Sequence, residues 1–206
     1  WCIWVNENNF QEAKNIPFLK DRFEKVYEFR KNGGQVAKSL VDIPYRFRYI
    51  HEPKSSMIIL PKVASERRTY LPVAFVGRDA IALQTLQVIY DSEPYIFGVL
   101  SSNIHMIWIK SVAGGMKTDI VYSNQLCYNA FPFPMITDKQ KEEITELVFN
   151  ILDEREQHSE KTLGQLYDPD KMPQGLKEAH HQLDLAIEKC YRNKPFENDE
   201  KRLEYL

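Results

Sequence analysis

The sequence predicts an α+β fold, in which a mixed sheet packed with helices over residues 1–134 precedes a small helical segment over residues 135–206. Up to residue 134, short apolar runs bounded by turn residues alternate with stretches of helical period. The sequence FPFP at Phe131–Pro134 interrupts both patterns, because each proline fixes φ and removes a backbone donor. Beyond it only helical periodicity follows.

The first 50 residues are predicted to form one strand and two helices. Trp1–Val5, WCIWV, is typical of an apolar strand. Pro17–Asn32 carries apolar residues at three- and four-residue spacing, and Gly33-Gly34 ends it. Gln35–Val41 is predicted as a second, short helix that ends before a proline.

Three β-rich segments come next, at Met57–Lys62, Tyr70–Val76 and Ala80–Tyr90. A polar segment, Ser65–Arg68, lies between the first two and contains adjacent arginines. Guanidinium groups bind phosphate oxygens through two parallel hydrogen bonds, so this arrangement favours a surface that binds phosphate.

A helix over Tyr95–Ala113 is predicted from its apolar stripe, with Gly114-Gly115 as its cap and Lys117–Tyr122 as a returning strand. In the helical segment, Thr137 is the predicted cap of a helix that ends near Glu156.

The rest of the helical segment is predicted as a connector followed by one more helix. The connector, LYDPDKMP, spans Leu166–Pro173, and the last helix spans Leu176–Tyr191.

Charge is distributed unevenly between the two regions. Residues 1–134 carry 16 Lys and Arg against 12 Asp and Glu, a net charge of +4, whereas residues 135–206 carry 11 against 17, a net charge of −6. This asymmetry indicates one region that faces phosphate and one that avoids it. An excess of four charges is modest, so local clusters must supply most of any phosphate affinity.

Composition also indicates the cellular compartment in which we expect the protein. No run of about 18 apolar residues exists, and no signal peptide precedes the first strand, so we expect no membrane span. Three widely spaced cysteines indicate reduced thiols in the cytosol. Because WCIWV starts abruptly as a strand, we expect the chain to be a fragment of a longer protein.

Landmarks along the whole chain resemble the C-terminal portion of the MmeI-like DNA methylases, single-chain restriction–modification enzymes that methylate adenine N6. In order, these are WCIWV, PKVASERR followed by YLP, FGVLSS with HM and W, then YS, YN and FPFP, and finally LYDP, MP and KEAH. The resemblance implies a target recognition domain over residues 1–134 and a helical C-terminal domain over 135–206.

The resemblance also implies partners and a cofactor. The partners are double-stranded DNA, read in its major groove, and the methylase domain of the same polypeptide, in the cytoplasm of a bacterium; neither RNA nor membrane is expected. S-adenosylmethionine serves the parent enzyme. The chain itself contains no Asn-Pro-Pro-Tyr loop, no Gly-rich cofactor turn and no Asp…Glu-x-Lys nuclease cluster. We therefore expect no catalytic residue, cofactor or metal in this chain.

Lys117 and Asp119 are the first candidates for base reading. In a strand, residues i and i+2 point to the same face. Lys donates to guanine O6 and N7 while Asp accepts from cytosine N4, so the two side chains suit one G·C pair. The resemblance implies that this slot reads a base pair, with guanine on the strand being read, and that Val121 is another reading position, which contacts a thymine methyl or merely packs. The alternative is an exposed ion pair that contributes almost nothing.

A second slot implied by the resemblance contains Lys62 and Gln84, with Thr85. Gln bonds adenine N6 and N7, and Lys reaches guanine acceptors, so their joint choice of base stays open. Solvated strand residues are the alternative.

Four arginines are predicted to contact phosphate, which fixes register without reading sequence: Arg67, Arg68, Arg46 and Arg48. Lys54 is a further candidate of the same kind. We expect one member of the Arg67–Arg68 pair to be structural, with Glu66 or Asp79 as possible partners.

A different class of function remains open, a protein-interaction module without DNA specificity, in which the acidic helical segment docks a partner or the methylase domain. Sequence-specific and salt-dependent DNA binding separates the two.

Overall fold

The computed structural model describes residues 2–49, 51–116 and 118–206, apart from the side chain of Met116. The chain divides into two compact units, Trp1–Glu52 and Pro53–Leu206. The α+β prediction is confirmed, since two small antiparallel sheets are combined with helices and a helical C-terminal segment.

The first unit is helical over its described residues, with α1 at Phe10–Ala13, α2 at Pro17–Lys31 and α3 at Gln35–Lys38. Proline at the start of α2 suits the first turn, where its missing N–H is not needed. The strand predicted at Trp1–Val5 is wrong for residues 2–5, which pair with no strand of the described unit. A strand requires backbone partners, and the apolar run instead contributes buried Val5 to the packing. Trp1 lies outside the described residues.

The second unit contains two three-stranded antiparallel sheets. The first sheet has the order β3-β1-β4, with β1 at Ser56–Pro61, β3 at Ala74–Gly77 and β4 at Leu86–Tyr90. The predicted strands Tyr70–Val76 and Ala80–Tyr90 are therefore too long at their N-terminal ends. Leu71 and Val73 are apolar because they are fully buried in the core, not because they pair with a neighbouring strand.

The second sheet has the order β2-β6-β5, with β2 at Val63–Ser65, β5 at Gly114–Met116 and β6 at Asp119–Val121. Gly114-Gly115 therefore belongs to a strand and does not cap a helix as predicted. Glycine adopts extended backbone readily, so a helix-ending pair and a strand are not distinguished by composition.

The predicted helix Tyr95–Ala113 is two helices, α4 at Pro94–Ser101 and α5 at Asn103–Val112. They break at Ser102, whose extended backbone (φ −77°, ψ 158°) lets its hydroxyl cap α5 at the N–H of His105. A short π-helix, Asn124–Asn129, follows β6.

The helical segment follows the sequence prediction closely. The helix α6 at Asp138–Glu156 begins with a capping box, in which Thr137 and Gln140 each accept the other's backbone N–H. The helix α8 spans Gln174–Tyr191. Two short helices, α7 at Leu163–Leu166 and α9 at Asp199–Tyr205, are additional to the predicted elements.

The helical segment shares one hydrophobic core with the sheets and with α4. Gly98 of α4 marks the closest approach, because a Cβ there would lie 2.6 Å from Ile144 Cγ2 and 3.1 Å from Val148 Cγ2, both on α6. The helices α4 and α6 cannot move apart without opening the core.

A buried polar network also joins the two parts of this unit. Arg155 of α6 donates to the carbonyl of Val73 at 2.8 Å and to the hydroxyl of Tyr167. The same hydroxyl lies 2.6 Å from Nε2 of His180.

Asp184 of α8 completes the network, since it accepts from the Tyr70 hydroxyl at 2.8 Å and from the Asn103 N–H at 2.7 Å. Burial raises the pKa of Asp184 to about 7, although these two hydrogen bonds oppose the shift. Burial and the charge of Arg155 hold the pKa of His180 well below its ordinary value, so its imidazole is neutral.

Gly98→Ala is expected to lower the free energy of unfolding by about 1–3 kcal/mol, because the added methyl overpacks the contact with α6. Urea denaturation measures the change. Gly77→Ala is the matched control, since a Cβ at that position meets nothing within 4 Å. Equal stability of the two variants would contradict the packing described for Gly98.

Asp184→Asn is expected to change how stability depends on pH. The folded state retains a proton on Asp184 that the unfolded chain releases, so this residue lowers the free energy of unfolding as pH rises from about 4 to about 7. Buried neutral His105 and His180 act in the opposite direction below about pH 6.5. The difference between variant and wild type isolates Asp184.

Urea midpoints at pH 5 and pH 8 provide the measurement for Asp184→Asn. The variant should gain roughly 1–4 kcal/mol relative to wild type between these two values. Asp170→Asn, at an exposed carboxylate, should show no such gain. A constant difference between Asp184→Asn and wild type would contradict the raised pKa.

Candidate nucleic-acid interface

The outward face of the second sheet carries two of the predicted base-reading residues. In β2 and β6, Ala64 pairs with Ile120, and both are only 7% exposed. Because side chains alternate along a strand, their neighbours Asp119 and Val121 lie on the opposite face, away from the core. The structure thus places these two residues side by side on one accessible surface.

Asp119 is half-buried, and its carboxylate accepts no hydrogen bond from any residue in the part of the chain that the structure describes. A carboxylate on an outward face has acceptor capacity for an external donor such as cytosine N4. Lys117, its predicted partner, lies outside the described residues.

The second predicted slot is adjacent to the first. Lys62 connects β1 with β2, and its N–H donates to the carbonyl of Thr85 at 2.9 Å. Its carbonyl accepts from the N–H of Tyr122, the residue after β6, at 2.8 Å. The side chains of Lys62, Gln84 and Thr85 are all exposed. The backbone therefore brings Lys62 and Thr85 together, and it joins them to the end of β6.

The predicted phosphate-binding pair Arg67 and Arg68 lies in the loop between β2 and β3. Arg67 donates to Asp170 at 2.8 Å, and both side chains are about two-thirds exposed (68% and 67%). Arg68 is half-buried and donates to the carbonyl of Gly164 at 3.1 Å. The partners are thus in the helical segment, and Glu66 and Asp79 are not among them.

The contacts of Arg67 and Arg68 differ in how much of each guanidinium group they leave available to another ligand. An exposed ion pair contributes about 0–1 kcal/mol, so the Arg67 guanidinium can exchange Asp170 for another anion at little cost. Arg68 uses one nitrogen to fix the loop, which fits the expectation that one arginine of the pair is structural. Two further hydrogen bonds fix the end of this loop: the Tyr70 hydroxyl donates to Asp184, and Arg155 donates to the carbonyl of Val73.

Arg46 and Arg48 belong to the first unit. Arg46 pairs with Glu7 at 2.6 Å and is 24% exposed, while Arg30 donates to the Arg46 carbonyl and so shapes the same loop. Arg48 is exposed, with its guanidinium 4.9 Å from the ring centre of Tyr49. Lys54, in the second unit, is exposed and donates through its backbone to Asp91.

Sequence reasoning missed two residues of the outward face, Val63 and Ser65. They pair directly with Val121 and Asp119, so they share that face. The alternation of Val63, Ala64 and Ser65 carried the signal, but three residues are too few to establish a period without the partner strand.

A metal site needs clustered ligands, and a membrane span needs a long apolar helix. No three His, Cys, Asp or Glu side chains within the described ranges are placed to hold a metal ion. His180 is buried in the polar network whereas His181 is exposed, as expected for adjacent helix positions. None of the helices in the described ranges has the length and apolar character needed to cross a bilayer.

Comparison with known proteins gives matches over the whole chain. The family model described as the MmeI target recognition domain matches residues 1–135, and that of the MmeI C-terminal domain matches residues 136–206. DNA methyltransferase A of Bacillus subtilis (strain 168) is 42% identical over 207 residues, which cover 100% of this chain and 23% of the relative.

A solved structure of the Type IIL restriction–modification enzyme MmeI in complex with DNA is 34% identical, with a TM-score of 0.92. The match covers 100% of this chain and 28% of MmeI. The chain therefore spans about a quarter of the length of the proteins it matches. It belongs to the MmeI family, in which it corresponds to the target recognition domain followed by the C-terminal domain.

Proposed function

We propose that this chain reads DNA sequence as the specificity part of a longer, bacterial adenine-N6 DNA methyltransferase of the restriction–modification type. The observation that supports this most strongly is its similarity, over its full length, to MmeI in a structure with DNA. Residues 1–134 act as the target recognition domain, and residues 135–206 form the helical domain that supports it.

In this proposal, the outward face of the β2-β6-β5 sheet enters the major groove. Asp119 accepts from cytosine N4, Lys117 donates to guanine O6 and N7, and Val121 lies beside them. Lys62, Gln84 and Thr85 read a neighbouring pair. Each correct contact contributes about 1–3 kcal/mol of discrimination between bases.

Phosphate contacts fix the register of this face on the duplex. Arg67 exchanges its exposed partner Asp170 for a phosphate oxygen, and Arg68 holds the loop in place. Arg46 and Arg48 of the first unit are further candidates, of which exposed Arg48 is the more accessible.

The methyl transfer itself belongs to a methylase domain outside this chain. In the described structure, the connection from β4 to α4 runs through Asp91, Ser92 and Glu93 and contains no glycine. A cofactor turn needs glycine for close approach of the backbone, so these residues do not fit S-adenosylmethionine. We infer that the cofactor is bound by the methylase domain of the same polypeptide, in the cytoplasm, with double-stranded DNA as the partner of the present chain and neither RNA nor membrane involved.

Exchanging Lys117→Glu and Asp119→Arg together in the full-length enzyme is expected to invert one base pair of the methylated site from G·C to C·G. The donor and acceptor exchange places, so the preferred base exchanges strands. Single-molecule sequencing of methylated DNA gives the readout. An unaltered site in an active double variant would refute the assignment, as would loss of all methylation in a variant that remains folded.

Arg67→Ala is expected to weaken binding of specific and non-specific DNA alike, and to lower the slope of log K against log salt by about one. Anisotropy titrations of the full-length protein measure both quantities. Lys189→Ala, at an exposed position on α8, is the control. Should DNA binding of the wild type depend on neither sequence nor salt, the alternative of a docking module would be supported instead.

A further inference from the structure

Val63 occupies a distinctive position on the outward face. It pairs with Val121 across β2 and β6, so the two Cβ atoms are about 4.5–5.5 Å apart on the same side of the sheet. The side chain is 42% exposed, while Ala64 beside it faces the core. The two valines therefore form one apolar patch, partly open to solvent.

The patch lies between the two predicted reading slots. Lys62, the residue before Val63, is hydrogen-bonded through its backbone to Thr85 and to Tyr122. Ser65, two residues after Val63, pairs with Asp119. Residues with polar side chains thus lie on both sides of the valine patch along the sheet.

On the far side of Val121, the sheet leaves room for a ligand. Gly114 pairs with Val121 in β5, and a Cβ at Gly114 would meet nothing within 4 Å. Val121 is consequently flanked by the Val63 side chain on β2 and by bare backbone on β5.

The C5 methyl of thymine is the apolar group that A·T pairs present in the major groove, and apolar side chains recognise it. Valine has no donor or acceptor to offer a base, so its contribution is burial of methyl surface. We propose that Val63 is a further base-reading residue and that, with Val121, it binds the C5 methyl of a thymine. This inference rests on the proposed function.

A structural role for Val63 is the competing explanation. Val63 also lines a cavity of about 320 Å³ together with Pro61, Leu86 and Leu163. A residue that merely walls this cavity would affect binding of all DNA equally, because its loss does not depend on the base bound.

The test replaces single thymines by deoxyuridine, which removes one methyl group and no hydrogen-bonding atom. A site methylated on adenine always contains a thymine opposite the target, so suitable positions exist. With the site mapped beforehand, the full-length wild type is expected to bind one substituted duplex about fourfold more weakly, as for burial of one methyl. Val63→Ala should reduce this ratio to below twofold.

Two further variants isolate the contact. Val63→Thr retains the shape and strand preference of valine but replaces a methyl by a hydroxyl, so it should also reduce the thymine-to-uridine ratio while leaving the unfolding midpoint nearly unchanged. Val36→Ala, at an exposed valine of α3, should retain the fourfold ratio.

The outcomes separate the two hypotheses. If DNA binding is sequence-specific but the ratio is the same in wild type and both Val63 variants at every thymine, the role of Val63 is refuted and the proposed function stands. Val121→Ala is measured alongside them, and the same conclusion follows if this variant alone changes the ratio. If the full-length protein shows no sequence-specific binding, both the proposed function and this inference are wrong.

Discussion

The main chain at Lys62 holds the arrangement together. Its N–H is bonded to the carbonyl of Thr85 beside the first sheet, and its carbonyl to the N–H of Tyr122 beside the second. Because Lys62 uses both its backbone donor and its backbone acceptor, this one residue links the turn before β4 to the residue after β6. Together with the pairing of β2 with β6 and of β1 with β4, these two hydrogen bonds bring together the proposed reading positions on β2, on β6 and in the turn before β4.

The loop that carries Arg67 and Arg68 is stabilised from the opposite side. Tyr70 and Val73 are held by Asp184 and Arg155, which belong to helices that follow more than 60 residues later in the chain. The acidic helical segment thus orients the basic loop, which in the proposed function approaches DNA. Its own negative charge and its supporting role are compatible, because the contacting groups are buried or point toward the loop.

Much of the helical structure was predictable because its signals are local. The capping box at Thr137 and the proline at the start of α2 fixed those helix beginnings to the residue. The break at Ser102 was missed. Its cap is local, but the N–H of Asn103 at the start of α5 is also accepted by the buried carboxylate of Asp184, 81 residues away, and a single sequence does not show that contact. Strand limits were the least predictable, since β2, β5 and β6 contain three residues each and exist only as partners of one another.

For the candidate site, the resemblance to a known family identified the candidate residues, and their side-chain chemistry suggested the role of each. Neither predicted which residues contact one another in the fold. Asp170 and Gly164 as partners of the arginine pair, and Val63 beside Val121, are long-range relations that a single sequence does not contain.

The close approach at Gly98 has a consequence for the transfer of specificity between relatives. A chimera joined near residue 135 would combine an α4 from one parent with an α6 and α8 from another, across a contact with no spare volume. Mismatched methyl groups at this contact would impair folding of the chimera and would not change which DNA sequence it recognises. Two kinds of graft keep this contact intact. One exchanges only outward-facing strand positions, and the other transfers residues 53–206 together as one compact unit.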